Sequence, residues 1–123
     1  MNKWQSYILA MALLGFGVGQ SQAAIYLGQD ASGHDWTFLE KRIVNKGRGY
    51  KESWAFIERG NDKRKVLYSF NCNRASVAQL VVDDYKVARG RADRLIHSWR
   101  PVRPSYYQIG QGTFEAQMYY IAC

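Results

Sequence analysis

Two cysteines stand in the chain, Cys72 and Cys123. Whether they are joined decides how much of the fold core packing must hold alone. A bridge between them closes a loop of about 50 residues and removes on the order of 4 kcal/mol of entropy from the unfolded chain. For a domain of this size that is a large share of the net stability. An intermolecular bridge and two free thiols are the alternatives, and the compartment weighs between them.

The N-terminus speaks to the compartment. Lys3 is followed by an uncharged, mostly apolar run from Tyr7 to Val18, and Ser21-Gln22-Ala23 then places small residues where a cleavage site needs them. This is the three-part pattern of a secretory signal peptide, cut after Ala23. The apolar run is too short for a membrane-spanning helix, which needs about 20 residues, and no later stretch supplies one. The expectation is a signal peptide over 1–23 and one soluble domain over 24–123, periplasmic or extracellular, with no integral membrane segment after cleavage. In that compartment an intramolecular Cys72–Cys123 disulfide is the simplest pairing. Loss of Lys3 lowers the formal charge from +7 by one, to +6, and the aromatic content of 15% argues against disorder.

From Trp36 onward the residues read as strands and turns. Ala24 to Asp35 reads as a loose lead-in. Trp36 to Val44 is rich in β-formers, Asn45 to Gly49 is a turn, and Tyr50 to Arg59 alternates with Trp54 and Phe56 on one face and Ser53, Ala55 and Ile57 on the other. Gly60-Asn61-Asp62 turns the chain into a strand from Val66 to Cys72. Val77 to Tyr85 is β-branched enough to be a strand, with Asp83-Asp84 as its solvated end. Leu95 to Trp99 is a last short strand, and Pro101 and Pro104 stop the sheet. The period then changes. Thr113 is a good N-cap, Glu115 suits the first turn, and Phe114, Met118 and Ile121 share one helical face. Tyr119 and Tyr120 cannot both join that face, so at least one is expected in solvent. The expected class is α+β: an antiparallel sheet of about five to six strands, with a C-terminal helix on one face tethered by the disulfide.

Catalytic chemistry finds few candidates. His34 and His97 are the two histidines. His34-Asp35 is a poor dyad, because neighbours on an extended chain point to opposite faces. No nucleophile elbow or phosphate loop occurs, and two scattered histidines with two bridged cysteines do not make a metal site. No catalytic residue, metal or cofactor is assigned, and the expectation is a protein that is not an enzyme.

The cations are more informative. They gather at turns: Lys46, Arg48 and Lys51; Arg59, Lys63, Arg64 and Lys65; Arg89, Arg91 and Arg94; then Arg100 and Arg103. Tips that share an edge would form a positive patch for an acidic protein, a sulfated glycan or lipopolysaccharide phosphates; dispersed tips would be an ordinary solvated rim. The compartment, rather than the charge, excludes nucleic acid. Self-association as a homodimer is left open.

The order of features resembles the surface-adhesin protein E family of Gram-negative bacteria. The likeness is carried by Trp54-Ala55-Phe56-Ile57, by Phe70-Asn71-Cys72-Asn73-Arg74, by Trp99 with Pro101-Val102-Arg103-Pro104, and by Gly112-Thr113 leading to Cys123. It covers roughly Trp36 to Cys123. The resemblance implies a curved antiparallel sheet with a C-terminal helix held by a Cys72–Cys123 bridge, no catalysis, and adhesion to host extracellular-matrix or serum proteins. This chain departs from the type member, a lipoprotein, in having no cysteine to accept lipid after the apolar run. The functional expectation is a non-enzymatic exported binding module, adhesin-like. The alternatives are a soluble periplasmic structural or inhibitory protein acting on another envelope protein, and a small secreted hydrolase.

Overall fold

Two ten-residue strands joined by the tight Gly60-Asn61 turn set the frame. In the computed structural model, which describes residues 24–123, they are paired without interruption from Tyr50↔Asn71 to Arg59↔Asp62. The signal peptide expected over 1–23 lies outside the described residues. In chain order the strands are β1 (Ile25–Gln29), β2 (Asp35–Phe38), β3 (Val44–Gly47), β4 (Tyr50–Arg59), β5 (Asp62–Asn71), β6 (Ser76–Lys86), β7 (Arg94–Trp99) and β8 (Tyr107–Gln108), followed by one helix, α1 (Phe114–Ala122). All pair in one antiparallel sheet of order β1-β2-β4-β5-β6-β7, with β3 on β4 and β8 on β6. The sheet curls into a half-barrel. Among the described residues no helix is long and apolar enough to cross a membrane.

Among the described residues eight strands replace the expected five to six, and three local features account for the difference; one is β8, which pairs Tyr107 with Val77 of β6, so Pro101 and Pro104 interrupt the sheet without ending it. Ala24 to Asp35 is not a loose lead-in: β1 pairs with β2, and Tyr26 Oη donates to Asp35 Oδ1 at 2.8 Å. Trp36 to Val44 is not one strand. Trp36 and Phe38 point to the inner face, and a continued strand would put Glu40 and Arg42 there too, where burial of unpaired charge is costly. The chain instead leaves through a 3-10 turn over Glu40–Arg42 and rejoins β4 further along as β3. The corner is fastened by Leu39 N to Trp54 O at 3.0 Å and by Ser53 Oγ donating to Leu39 O at 2.6 Å.

The inner face of β4 carries the small residues Ser53 and Ala55, and its neighbours carry Val66, Tyr68 and Phe70. With Phe38, Val77, Met118 and Ala122 these make the core. Met118 and Ala122 seat α1 on this face. Its N-cap is Thr113, whose Oγ1 accepts from Ala116 N at 3.1 Å. Phe114 stacks on Trp36 with centroids 4.9 Å apart, Met118 is fully buried, and Cys123 is bonded to Cys72. Tyr119 Oη donates to Cys72 O at 3.0 Å, while Tyr120 is 77% exposed. The helix therefore covers the half of the inner face toward Cys72 and leaves the half toward the β4–β5 turn open.

Candidate binding surface

Antiparallel pairing sorts the turns to two poles. The β3–β4 turn, Arg48-Gly49, and the β5–β6 loop meet at one pole, where Cys72 N donates to Gly49 O at 2.8 Å and Asn73 Nδ2 to Arg48 O at 3.1 Å. The β1–β2 turn, the β4–β5 turn and the β6–β7 loop meet at the other. There Arg59 Nη1 donates to Ser32 O at 2.9 Å, and Val87 N to Asn61 O at 2.8 Å. Of the four basic groups expected from sequence, Arg59–Lys65 and Arg89–Arg94 are thus gathered together, Lys46, Arg48 and Lys51 stand at the opposite pole, and Arg100 and Arg103 lie past the far end of β7. Strand order decides this, because β4 runs between the two groups.

At the β4–β5 pole three carboxylates are already engaged. Lys86 pairs with Asp62, Lys63 with Asp93 at 3.1 Å, and Arg64 grips Asp84 through two bonds of 2.7 and 3.1 Å. The Arg64 guanidinium holds the Asp84 carboxyl below its usual range, and Lys86 does the same for Asp62. On the outer face Lys63 and Lys65 lie over the Phe56 ring at 5.1 and 5.6 Å, and Lys65 lies over Tyr85 at 4.9 Å. Arg89, Arg91, Arg94 and Arg103 make no ion pair among the described residues, and Arg100 reaches Asp83 only at 3.9 Å. Arg89, Arg91 and Arg94, with Arg59 and Lys65, are the charge the pole has left to offer, while Arg100 and Arg103 follow Trp99, whose partner Val82 lies in the middle of β6. Asp83-Asp84 is no solvated strand end: Asp83 is buried and accepts from Ser98 Oγ, and Asp84 is spent on Arg64.

Beside this pole the open half of the inner face forms a groove of about 440 Å³, with Trp36, Ile57, Arg64, Tyr68, Gln79 and Glu115 among its walls. It continues past Arg64, Gln79 and Asp84 into a shallower recess of about 280 Å³ ending at His97 and Trp99. Most of its polar groups serve the fold. Asp30 accepts from Trp36 Nε1 at 3.0 Å, Ser32 N at 2.9 Å and His34 N at 3.0 Å. Those donors, the indole first, lower its pKa to about 2. His34 Nδ1 lies 3.4 Å from the same carboxylate, so its neighbour is Asp30 and not Asp35, which serves Tyr26 and Gln29. Tyr68 is fully buried, and among the described residues its Oη has no hydrogen-bond partner of good geometry. Burial, with Glu115 nearby, pushes its phenol up; Gln79, its partner in the β5–β6 register, is the side chain placed to satisfy it.

Several surface residues were not visible as a group in the sequence. Leu95 and Ile96 of β7, Trp99 at its end, and Val102 beyond it are all exposed. Leu95 to Trp99 reads from sequence only as a short strand, and the sheet order shows that β7 is the terminal one, with no strand beyond it among the described residues. No family model matches the chain, and neither a curated protein nor a solved structure is detectably similar to it.

Proposed function

We propose that this chain is a non-enzymatic binding module of the bacterial envelope or its exterior, adhesin-like, which holds anionic or acidic partners at the β4–β5 pole. One observation carries the proposal: two basic groups are brought together by the fold, Asp62, Asp84 and Asp93 are consumed internally, and Arg89, Arg91 and Arg94 are left without ion pairs among the described residues. Unneutralised charge gathered at one pole of a small domain, as here and again at the pole of Lys46, Arg48 and Lys51, attracts and orients an anionic partner. The partners that fit are acidic patches of matrix or serum proteins, sulfated glycans and lipopolysaccharide phosphates. Kinship with the surface-adhesin protein E family is part of the proposal and rests on the ordered residues named from the sequence.

The test is binding of the purified protein to immobilised matrix and serum proteins, heparin and lipopolysaccharide, each followed through a salt series. Binding should weaken steeply as the Debye length falls from about 10 Å at 0.1 M toward about 3 Å at 1 M. Arg89→Ala, Arg91→Ala and Arg94→Ala combined should remove most of it. Binding that ignores both salt and these substitutions would move the interaction to the groove or to the tyrosines.

A further inference from the structure

The rim formed by β7 and the loop after it joins three features that the pole's charge alone does not explain. Leu95 is 52% exposed, Ile96 54%, Trp99 44% and Val102 fully exposed. Arg91, Arg94, Arg100 and Arg103 are interleaved with them. β7 is also the terminal strand of the sheet, so the strand and its loop run along a free rim.

We propose that this rim docks onto an anionic lipid surface, its arginines at the lipid phosphates and its apolar side chains entering the shallow, hydrated interface. The proposal deepens the binding-module reading and rests on it. Cations next to such a surface are each worth an appreciable part of the binding free energy, and apolar side chains among them supply the rest. Trp is at home at this depth, where one part of the ring is dry and another wet. Val102 between Pro101 and Pro104 is an aliphatic side chain held clear of the fold, close in sequence to the exposed Trp99.

An extended acidic peptide adding a strand to β7 is the competing occupant, and the geometry disfavours it. The β6–β7 register steps from Asp84↔His97 to Tyr85↔Leu95, so Ile96 is a bulged residue that breaks the edge in the middle. Bulges and prolines are how sheets refuse further strands. Val102 lies beyond the strand, where an added peptide would not reach it. Deep insertion is also excluded, because an open sheet edge cannot enter hydrocarbon with its backbone groups unpaired. Shallow docking keeps those groups wet.

The experiment is co-sedimentation of the purified protein with vesicles of phosphatidylcholine alone and with about a third phosphatidylglycerol, a content at which cationic side chains gain appreciable binding. The vesicles are also prepared with brominated acyl chains, with tryptophan emission recorded. The expected result is binding to the anionic vesicles only, quenching by bromine that is lost in Trp99→Phe, a drop of about tenfold in Val102→Asp, and of about fivefold for each of Arg91→Ala and Arg94→Ala. Charge-dependent vesicle binding without quenching, and unchanged in Val102→Asp, would overturn the docking while leaving the electrostatic reading of the pole intact. So would complete competition by millimolar inorganic phosphate, which would mark a phosphate-ion site. Failure to bind anionic vesicles while binding to heparin or matrix protein persists would overturn the inference alone. Binding instead to a soluble peptide of alternating Glu and Val, or self-association that protects the β7 amides, would assign the rim to a strand partner or to a second copy.

Discussion

Single residues here show which polar groups the fold has satisfied and which it has not. Asp30 ties the β1–β2 turn to Trp36, the residue on which Phe114 and so the start of α1 rest. Its folded pKa lies at about 2, below the ordinary 3.8. The native state therefore binds that proton less readily than the unfolded chain does. The stability it contributes is complete above pH 3.8 and is lost as the pH falls toward about 2. Acid titration followed by tryptophan emission should show a step in that window, and Asp30→Ala should abolish it. Tyr68 is the opposite case, a buried hydroxyl without a partner among the described residues. Removing an unsatisfied buried group is close to neutral or favourable, so Tyr68→Phe should leave stability unchanged or raise it by up to about 1 kcal/mol in urea unfolding. A loss of more than that would mean Gln79 or a bound water completes the bond. Gly49 has a third kind of role. Its φ is +84°, and a Cβ there would sit 2.5 Å from Asn73 Nδ2. Gly49→Ala should therefore both strain the turn and push apart the two loops that seat Cys72.

Among the elements, α1 depends most on its surroundings. Nine residues are too few for a stable helix in water. Its supports include the Thr113 cap, the Phe114 stack on Trp36, the buried Met118 and the bond to Cys72. Thr113→Ala should cost about 1 kcal/mol. Cys123→Ser should cost about 2–5 kcal/mol and release the last turns to protease, with helical signal and protection falling together. Much of this element was legible in the sequence, because capping and a 3.6-residue period are local signals: Thr113, Phe114, Met118 and Ile121 announce it without reference to anything distant. β4, β5 and β6 were legible for the same reason, through alternation and the glycine turns. The corner at Leu39 and the pairing of β1 were not, since both are decided by a partner strand elsewhere in the chain. The binding surface divides the same way. Each basic turn can be read from its own residues, but which turns meet depends on strand order. The spending of Asp62, Asp84 and Asp93 on particular cations depends on the register, which is invisible until the strands are paired.

At the scale of the whole molecule, charge and sheet geometry act together. The protein carries +7 overall, and its cations collect at the two poles. Association with any polyanion should therefore be fast at low salt and slow down as salt rises, with the change falling mainly on the association rate, as expected for charges at an interface rim. Stopped-flow measurements against heparin would show it, and an association rate indifferent to salt would contradict it. The poles lie at opposite ends of β4 and β5, ten residues each, and so stand about 33 Å apart. Lys46 and Arg48 at one pole cannot reach the same short anion as Arg91 and Arg94 at the other. A domain of this kind is divalent toward anything negatively charged that is smaller than itself or presented as separate particles. Mixed with anionic vesicles in rising proportion, it should first join them into clusters and then, once each vesicle is coated, let them disperse. Turbidity would rise and fall with the ratio of protein to lipid, and charge reversal at Lys46 and Arg48 would flatten the rise while leaving single-vesicle binding in place.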